Sequence, residues 1–156
     1  MHLTLIAVGR RASGWLREAA ADYAGRFPAG FKVAIRELAP ARRSASEPRQ
    51  TVLRAEAKAI TESIPRGAYV IALDERGRQQ DTAGLARELA RWIDDQAHVV
   101  FLIGGADGLD ASTIKHADEV WALSKLTLPH GLSRVLLLEQ LYRAWTILKK
   151  HPYHRE

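Results

Sequence analysis

A chain of 156 residues, 47% hydrophobic and 26% charged, has the length and composition of one folded domain, which excludes disordered, fibrous and collagen-like chains. It contains no cysteine, so disulfide frameworks, iron–sulfur clusters, thiolate zinc sites and cysteine nucleophiles are excluded, and a reducing compartment is expected. The net charge of +5 suggests a polyanionic partner; the balance is +5 over residues 1–50, −3 over 51–129 and +3 over 130–156.

The first apolar run, His2–Val8, predicts a strand. It is too short for a signal peptide and has no basic leader, and no run of 18 apolar residues follows anywhere, so a soluble cytoplasmic protein with no membrane partner is expected. Helical period over Gly14–Phe27 leads to a strand at Phe31–Leu38. Residues 39–50, with Pro40, Arg42, Arg43, Pro48 and Arg49, read as a mobile basic connection into a helix over Ser46–Ile64, with Ser46 a candidate N-cap. A strand at Tyr69–Leu73, a helix at Thr82–Asp95 capped by Thr82, a strand at His98–Ile103, a short helix at Ala111–Ala117 and a strand at Glu119–Leu123 come next. The last helix spans Leu132–Lys150.

Near-continuous apolar strands such as VIAL and VVFLI alternate with helices, which implies a mostly parallel α/β sheet covered on both faces, in a single domain over 1–156. Ligands of such sheets bind beyond the carboxyl ends of the strands, here Leu73–Arg78, Gly104–Asp110 and Leu123–His130. Gly104-Gly105-Ala106-Asp107-Gly108 follows a strand directly; it reads either as a tight turn or as backbone shaped to approach a ligand. It matches neither a Walker loop nor a GxGxxG fingerprint. Asp74 and Glu75 could meet a ribose, a base edge or a metal, or be solvated acids on a turn. No His/Asp/Glu set has metal spacing, so no metal is expected.

In the last helix Val135, Leu137, Leu138, Leu141, Tyr142, Trp145 and Leu148 cover about 160°, wider than the stripe of an ordinary surface helix, which suggests cover on more than one side and a subunit interface. Arg134 projects into that sector; it either lies at an exposed first turn or faces a site. The ending HPYHRE is either a disordered tail or a set of rings and cations able to stack on a base and contact phosphate.

The stretches LIGGADGL (102–109), LSKLTLPHGLSRVLLLEQLYRAW (123–145) and HPYHRE (151–156) closely resemble the RlmH family, formerly called YbeA, and the resemblance runs the length of the chain. These are SPOUT-class methyltransferases that methylate N3 of a pseudouridine in large-subunit ribosomal RNA. The resemblance implies a SPOUT-type, mostly parallel sheet flanked by helices with a C-terminal trefoil knot, which general topology rules would not have suggested. It implies a homodimer packed around the knot and bent S-adenosylmethionine bound at Leu73, at Gly104 and along Leu123, Ser124, Lys125, Leu126, Thr127 and Leu128. Gly104, Gly105 and Gly108 would let the backbone close around that cofactor. Arg134, Arg143, Tyr153, His154 and Arg155 become the candidates for binding an rRNA hairpin on the ribosome, and Arg143, Tyr153 and His154 those for handling the acidic N3. His154 has the most suitable intrinsic pKa, and no single general base is identified. Lys125 and Gly131 are minor departures from the family pattern. A non-enzymatic RNA-binding protein and a SPOUT enzyme acting on transfer RNA are the alternatives; the intact GGADG and LSKLTL segments argue against the first and the HPYHRE ending against the second.

Overall fold

Each apolar run forms a strand and each stretch of helical period a helix, in the predicted order. The computed structural model describes residues 1–10 and 12–155, and the side chains of His154 and Arg155 lie outside the described set. The elements are β1 (His2–Val8), α1 (Gly14–Gly25), β2 (Lys32–Leu38), α2 (Arg49–Ser63), β3 (Tyr69–Gln79), α3 (Thr82–Asp94), β4 (His98–Ile103), α4 (Ala111–His116), β5 (Glu119–Ala122) and α5 (His130–Leu148). A 3-10 turn, Pro152–Arg155, follows.

The strands form one sheet in the order β2-β1-β4-β3-β5, with every pairing parallel. Alternate side chains serve opposite faces. Leu3, Leu5, Phe101 and Trp121 pack under α1, α3 and α5, whereas Ile6, Val8, Val100 and Leu102 pack under α2 and α4. Trp92 of α3 stacks on Trp121 at 5.9 Å and meets Phe101 edge-on at 6.0 Å, filling the larger layer with rings. Burying each such side chain contributes about 1.5–3 kcal/mol.

Several local expectations are corrected. α2 begins at Arg49 behind Pro48 rather than at Ser46, since proline's fixed φ suits a helix entrance. α3 is capped by Asp81, whose carboxylate accepts from the Gly84 amide at 2.6 Å, and Thr82 is the first helical residue. β3 continues past Leu73 to Gln79 because Arg78 and Gln79 rejoin β5 after an irregularity in the ladder. Gly77 makes that return possible: a Cβ there would lie 2.6 Å from the Trp121 carbonyl carbon.

The broad apolar sector of α5 is filled within one chain by α1, α3 and the sheet, so its width by itself does not require a subunit interface. Arg134 is not at an exposed first turn. It is 2% exposed, and its guanidinium donates to Glu37 of β2 at 2.5 Å. Among the described residues no helix is long and apolar enough to cross a membrane.

Candidate active site

Beyond the carboxyl ends of β4 and β5, and beside β3 from Leu73 onward, the chain forms an open cavity of about 770 Å³. Its walls are the three segments that the rule for parallel sheets selects. Leu73, Gly104, Gly105 and Gly108 line it from two strand ends, and Leu123, Ser124, Leu126, Thr127 and Leu128 line it from the third. Lys125 is exposed and is not part of the lining.

Close packing of backbone shapes the glycine loop. The Gly108 amide donates to the Gly105 carbonyl at 3.0 Å, closing a turn over Ala106 and Asp107, and Gly108 leaves it at φ +81°, where a Cβ is disfavoured. A Cβ at Gly104 would lie 2.5 Å from the Gly108 carbonyl oxygen and 2.7 Å from the Leu109 amide nitrogen. Gly104 is therefore needed for the loop to fold upon itself, in addition to any approach of a ligand. At Gly105 a Cβ would meet the buried carboxylate of Glu56 at 3.0 Å.

Other groups reach this cavity: the sequence offered Asp74 and Glu75 as possible contacts to a ribose, a base edge or a metal and marked the strand-end segments that hold Arg76, Asp107 and His130, but gave no site signal for Arg49 or Ser133. Asp74, Glu75 and Arg76 line it from the continuation of β3. The Arg76 side chain donates to Asp74 at 2.9 Å and holds that carboxyl below its usual range. Thr127 donates to Glu75 at 3.4 Å, linking the 123–128 segment to β3, and within that segment the Leu126 amide donates to Ser124 Oγ at 2.9 Å. His130 and Ser133, on the first turn of α5, contribute the opposite wall. Arg49 and Asp107 stand at the rim. These residues are scattered through the chain at no motif spacing, so only the fold brings them together.

Arg143 and Tyr153 do not line the cavity, and neither does Arg134, although its guanidinium and the His130 ring both lie 3.5 Å from where a Cβ at Gly9 would stand. Arg134 borders a second cavity of about 320 Å³ between α1 and β2, with Leu16, Ala20, Ile35 and Glu37. The tail folds back on α5: the Tyr153 ring meets Tyr142 edge-on at 4.9 Å, and its hydroxyl lies 3.1 Å from Glu139 and 3.4 Å from the Tyr23 hydroxyl. Arg143 sits over the Tyr153 ring at 5.0 Å and donates to Glu139 at 2.8 Å. Burial, reinforced by Tyr23 and Glu139, pushes the Tyr153 hydroxyl well above its usual pKa, so it stays a neutral donor. The side chains of His154 and Arg155, named above as catalytic and RNA-binding candidates, lie outside the described residues.

A family model described as "Predicted SPOUT methyltransferase" matches residues 1–154. The chain is 49% identical over 156 residues to the Ribosomal RNA large subunit methyltransferase H of Polynucleobacter asymbioticus, covering all of both chains. It is 46% identical over 155 residues to the protein of that name from a Janthinobacterium species, covering 99% of each. Among solved structures it superposes on a probable methylase family protein from Haemophilus influenzae with a TM-score of 0.57 at 13% identity, over 96% of this chain and 69% of that one. A structure described as "Structural insights into the 2-OH methylation of C/U34 on tRNA" aligns with a TM-score of 0.55 at 20% identity, over 93% and 97%. Those two likenesses show the fold alone, while the family model and the full-length relatives go further: this chain belongs to the SPOUT methyltransferases.

Proposed function

We propose that this methyltransferase binds S-adenosylmethionine in the strand-end cavity and methylates N3 of a pseudouridine in large-subunit ribosomal RNA, acting on the ribosome in the cytoplasm as a homodimer. One observation carries the reading: a single cavity is lined by Leu73, by the 104–108 loop and by the 123–128 segment, where the family resemblance puts the cofactor. The substrate half rests on the full-length relatives named for the large ribosomal subunit.

The cavity suits that cofactor. Its 770 Å³ falls within the roughly 300–1,000 Å³ of ligand pockets. Leu73, Leu123, Leu128 and Trp121 offer an apolar bed for a purine, and the main chain of the glycine loop offers the polar edge. Asp74 is kept ionised but paired with Arg76, so of these neighbouring groups Glu75 is the carboxylate whose negative charge suits a sulfonium. When bound, the cofactor supplies a methyl group made electrophilic by its cationic sulfur, so the chain's own task is alignment of the acceptor and management of its proton. His130 is the imidazole lining the cavity among the described residues, and in its neutral form it can accept the proton that N3 releases.

Reach supports the dimer. Thirteen steps of α5 separate His130 from Arg143, about 20 Å at 1.5 Å per residue, so within one chain Arg143 and Tyr153 stand far from the cavity. A second copy could present them there. Trp15 and Leu132, 64% and 40% exposed, offer apolar surface for it near the start of α5, where Gly131 abuts Leu16. The C-terminal knot belongs to the same reading.

Calorimetry with S-adenosylmethionine, mapping of methylated nucleotides in large subunits and light scattering test the three parts. Cofactor binding, one N3-methylated pseudouridine and twice the chain mass are expected. A folded protein that ignores the cofactor, or methylation mapped to transfer RNA, would overturn the reading.

A further inference from the structure

The connection between β2 and α2 has no part in the function described so far. Its composition of Arg, Ser and Pro suits a loose surface loop, yet it is fastened to the glycine loop. The Asp107 carboxylate pairs with Arg43 through Oδ2 and with Arg49 Nε through Oδ1, the latter at 3.4 Å, and Arg49 Nη2 donates to the Asp107 carbonyl oxygen at 2.9 Å. On either side, the Ala41 amide donates to Glu56 at 3.2 Å and Gln50 donates to Asp110 at 2.7 Å. The segment is thus held against the cavity rim, where Arg49 is part of the lining.

The charges in this arrangement do not balance. One carboxylate faces two guanidiniums, and the side chains of Arg43 and Arg49 remain 47% and 68% exposed, with Arg42 exposed beside them. Exposed ion pairs add little to stability, so bracing alone does not account for two arginines here. Fixed, accessible guanidiniums are the groups that grip phosphate oxygens, and an enzyme that extrudes a nucleotide from its stack needs such grips on the flanking backbone. A carboxylate between the two arginines disfavours a lone small anion but leaves both able to meet successive phosphates of a chain.

We propose that residues 39–50 form a phosphate-binding strap, in which Asp107 presets Arg43 and Arg49 to hold the RNA backbone beside the nucleotide entering the cavity. The inference rests on the RNA-methyltransferase reading above. Asp107 is a positioning residue, and its replacement separates position from charge. On charge alone, Asp107→Asn removes a repulsive group and tightens RNA binding; the strap requires the opposite, a KM for large ribosomal subunits raised about fivefold.

Arg43→Ala combined with Arg49→Ala should raise that KM at least tenfold. It should also flatten the slope of log affinity against log salt by about one to two units, near 0.7–0.9 per lost phosphate contact. The single Arg43→Ala variant, whose side chain does not line the cavity, should keep its affinity for S-adenosylhomocysteine within about threefold. The paired Gln variants serve as a second set, and circular dichroism checks folding of both. Wild-type methylation of the subunits with unchanged KM and salt slope in the double variants would overturn the strap and leave the proposed function standing. Tighter binding by Asp107→Asn would overturn the presetting. A wild-type protein that neither binds nor methylates the subunits would overturn both readings.

Discussion

Replacing Gly104 by alanine tests how the cofactor loop is built. The added Cβ would sit 2.5 Å from the Gly108 carbonyl oxygen and 2.7 Å from the Leu109 amide nitrogen, against about 3.4 Å for ordinary contact. Both obstacles are backbone, so no side chain can swing aside. The 105–108 turn, closed by its 3.0 Å hydrogen bond, must move by most of an ångström. Overpacking of this kind costs about 1–3 kcal/mol. If opening the turn relieves the strain and closing it around the ligand restores it, the cost falls on binding, and at about 1.4 kcal/mol per decade cofactor affinity drops roughly 5- to 150-fold. If the loop stays closed the cost falls on stability instead, and at about 2–4 °C per kcal/mol the melting temperature drops by about 2–12 °C. Calorimetric titration and differential scanning calorimetry read the two shares. Gly14→Ala, with no heavy atom within 4 Å of the new Cβ, is the matched control and should change neither. A Gly104→Ala protein with wild-type melting temperature and cofactor affinity would refute the loop packing described here.

Glu37→Ala strands the buried Arg134 guanidinium, whose Nε has no hydrogen-bond partner among the described residues, and should cost about 3 kcal/mol by urea denaturation; a loss below 1 kcal/mol would mean that the pair is not needed. Acid should destabilise the fold. Burial raises Glu119, but hydrogen bonds from Trp121, Tyr69 and Arg78 outweigh it, and Arg76 and Ser112 lower Asp74 and Asp110. Each binds its proton more weakly folded than unfolded, so their contribution is complete above about pH 4.5 and is lost as pH falls through the lowered values; a flat urea midpoint between pH 5 and 3 would contradict this. His98, lowered by burial, should begin the decline nearer pH 6.5. Deleting residues 151–156 removes the ring packed on Tyr142 and should cost about 0.5–1.5 kcal/mol, leaving cofactor binding intact and abolishing methylation of ribosomes; normal methylation would detach the tail from the reaction. His130→Gln should lower kcat about a hundredfold or more with cofactor affinity unchanged, and an undiminished rate would remove the imidazole from the proton's path.

Strand and helix order was legible because runs such as VIAL and VVFLI are apolar on both faces and the intervening segments keep helical period. The parallel-sheet rule then located the cavity from strand ends alone. The continuation of β3 was not legible: Asp-Glu-Arg-Gly reads as a turn, and only the presence of Trp121 and Ala122 alongside makes Arg78 and Gln79 a strand. Arg134 looked like an exposed or site-facing charge because its partner, Glu37, lies on β2, 97 positions away in the chain. The α5 sector was read correctly as covered on several sides, but α1 and α3 of the same chain provide that cover. Asp107 and His130 lay within strand-end segments that the rule selects, but nothing local singled out either residue, and Arg49 showed only as part of a basic connection, since their roles depend on three loops meeting at one rim.

The place of β1 in the sheet has a consequence for how the protein is made. β1, which is made before the other four strands of the sheet, lies inside it, with β2 on one side and β4 on the other, and His2 pairs with His98. Until β4 has been synthesised, one edge of an apolar strand has no native partner, and β3, which lies beyond β4, has nothing to dock against. Pairings so distant in sequence form slowly, and an uncovered hydrophobic edge invites association with other chains. A nascent chain stalled before Val99 should therefore remain sensitive to protease and bound to chaperones, with resistance appearing only once β4 has cleared the exit tunnel.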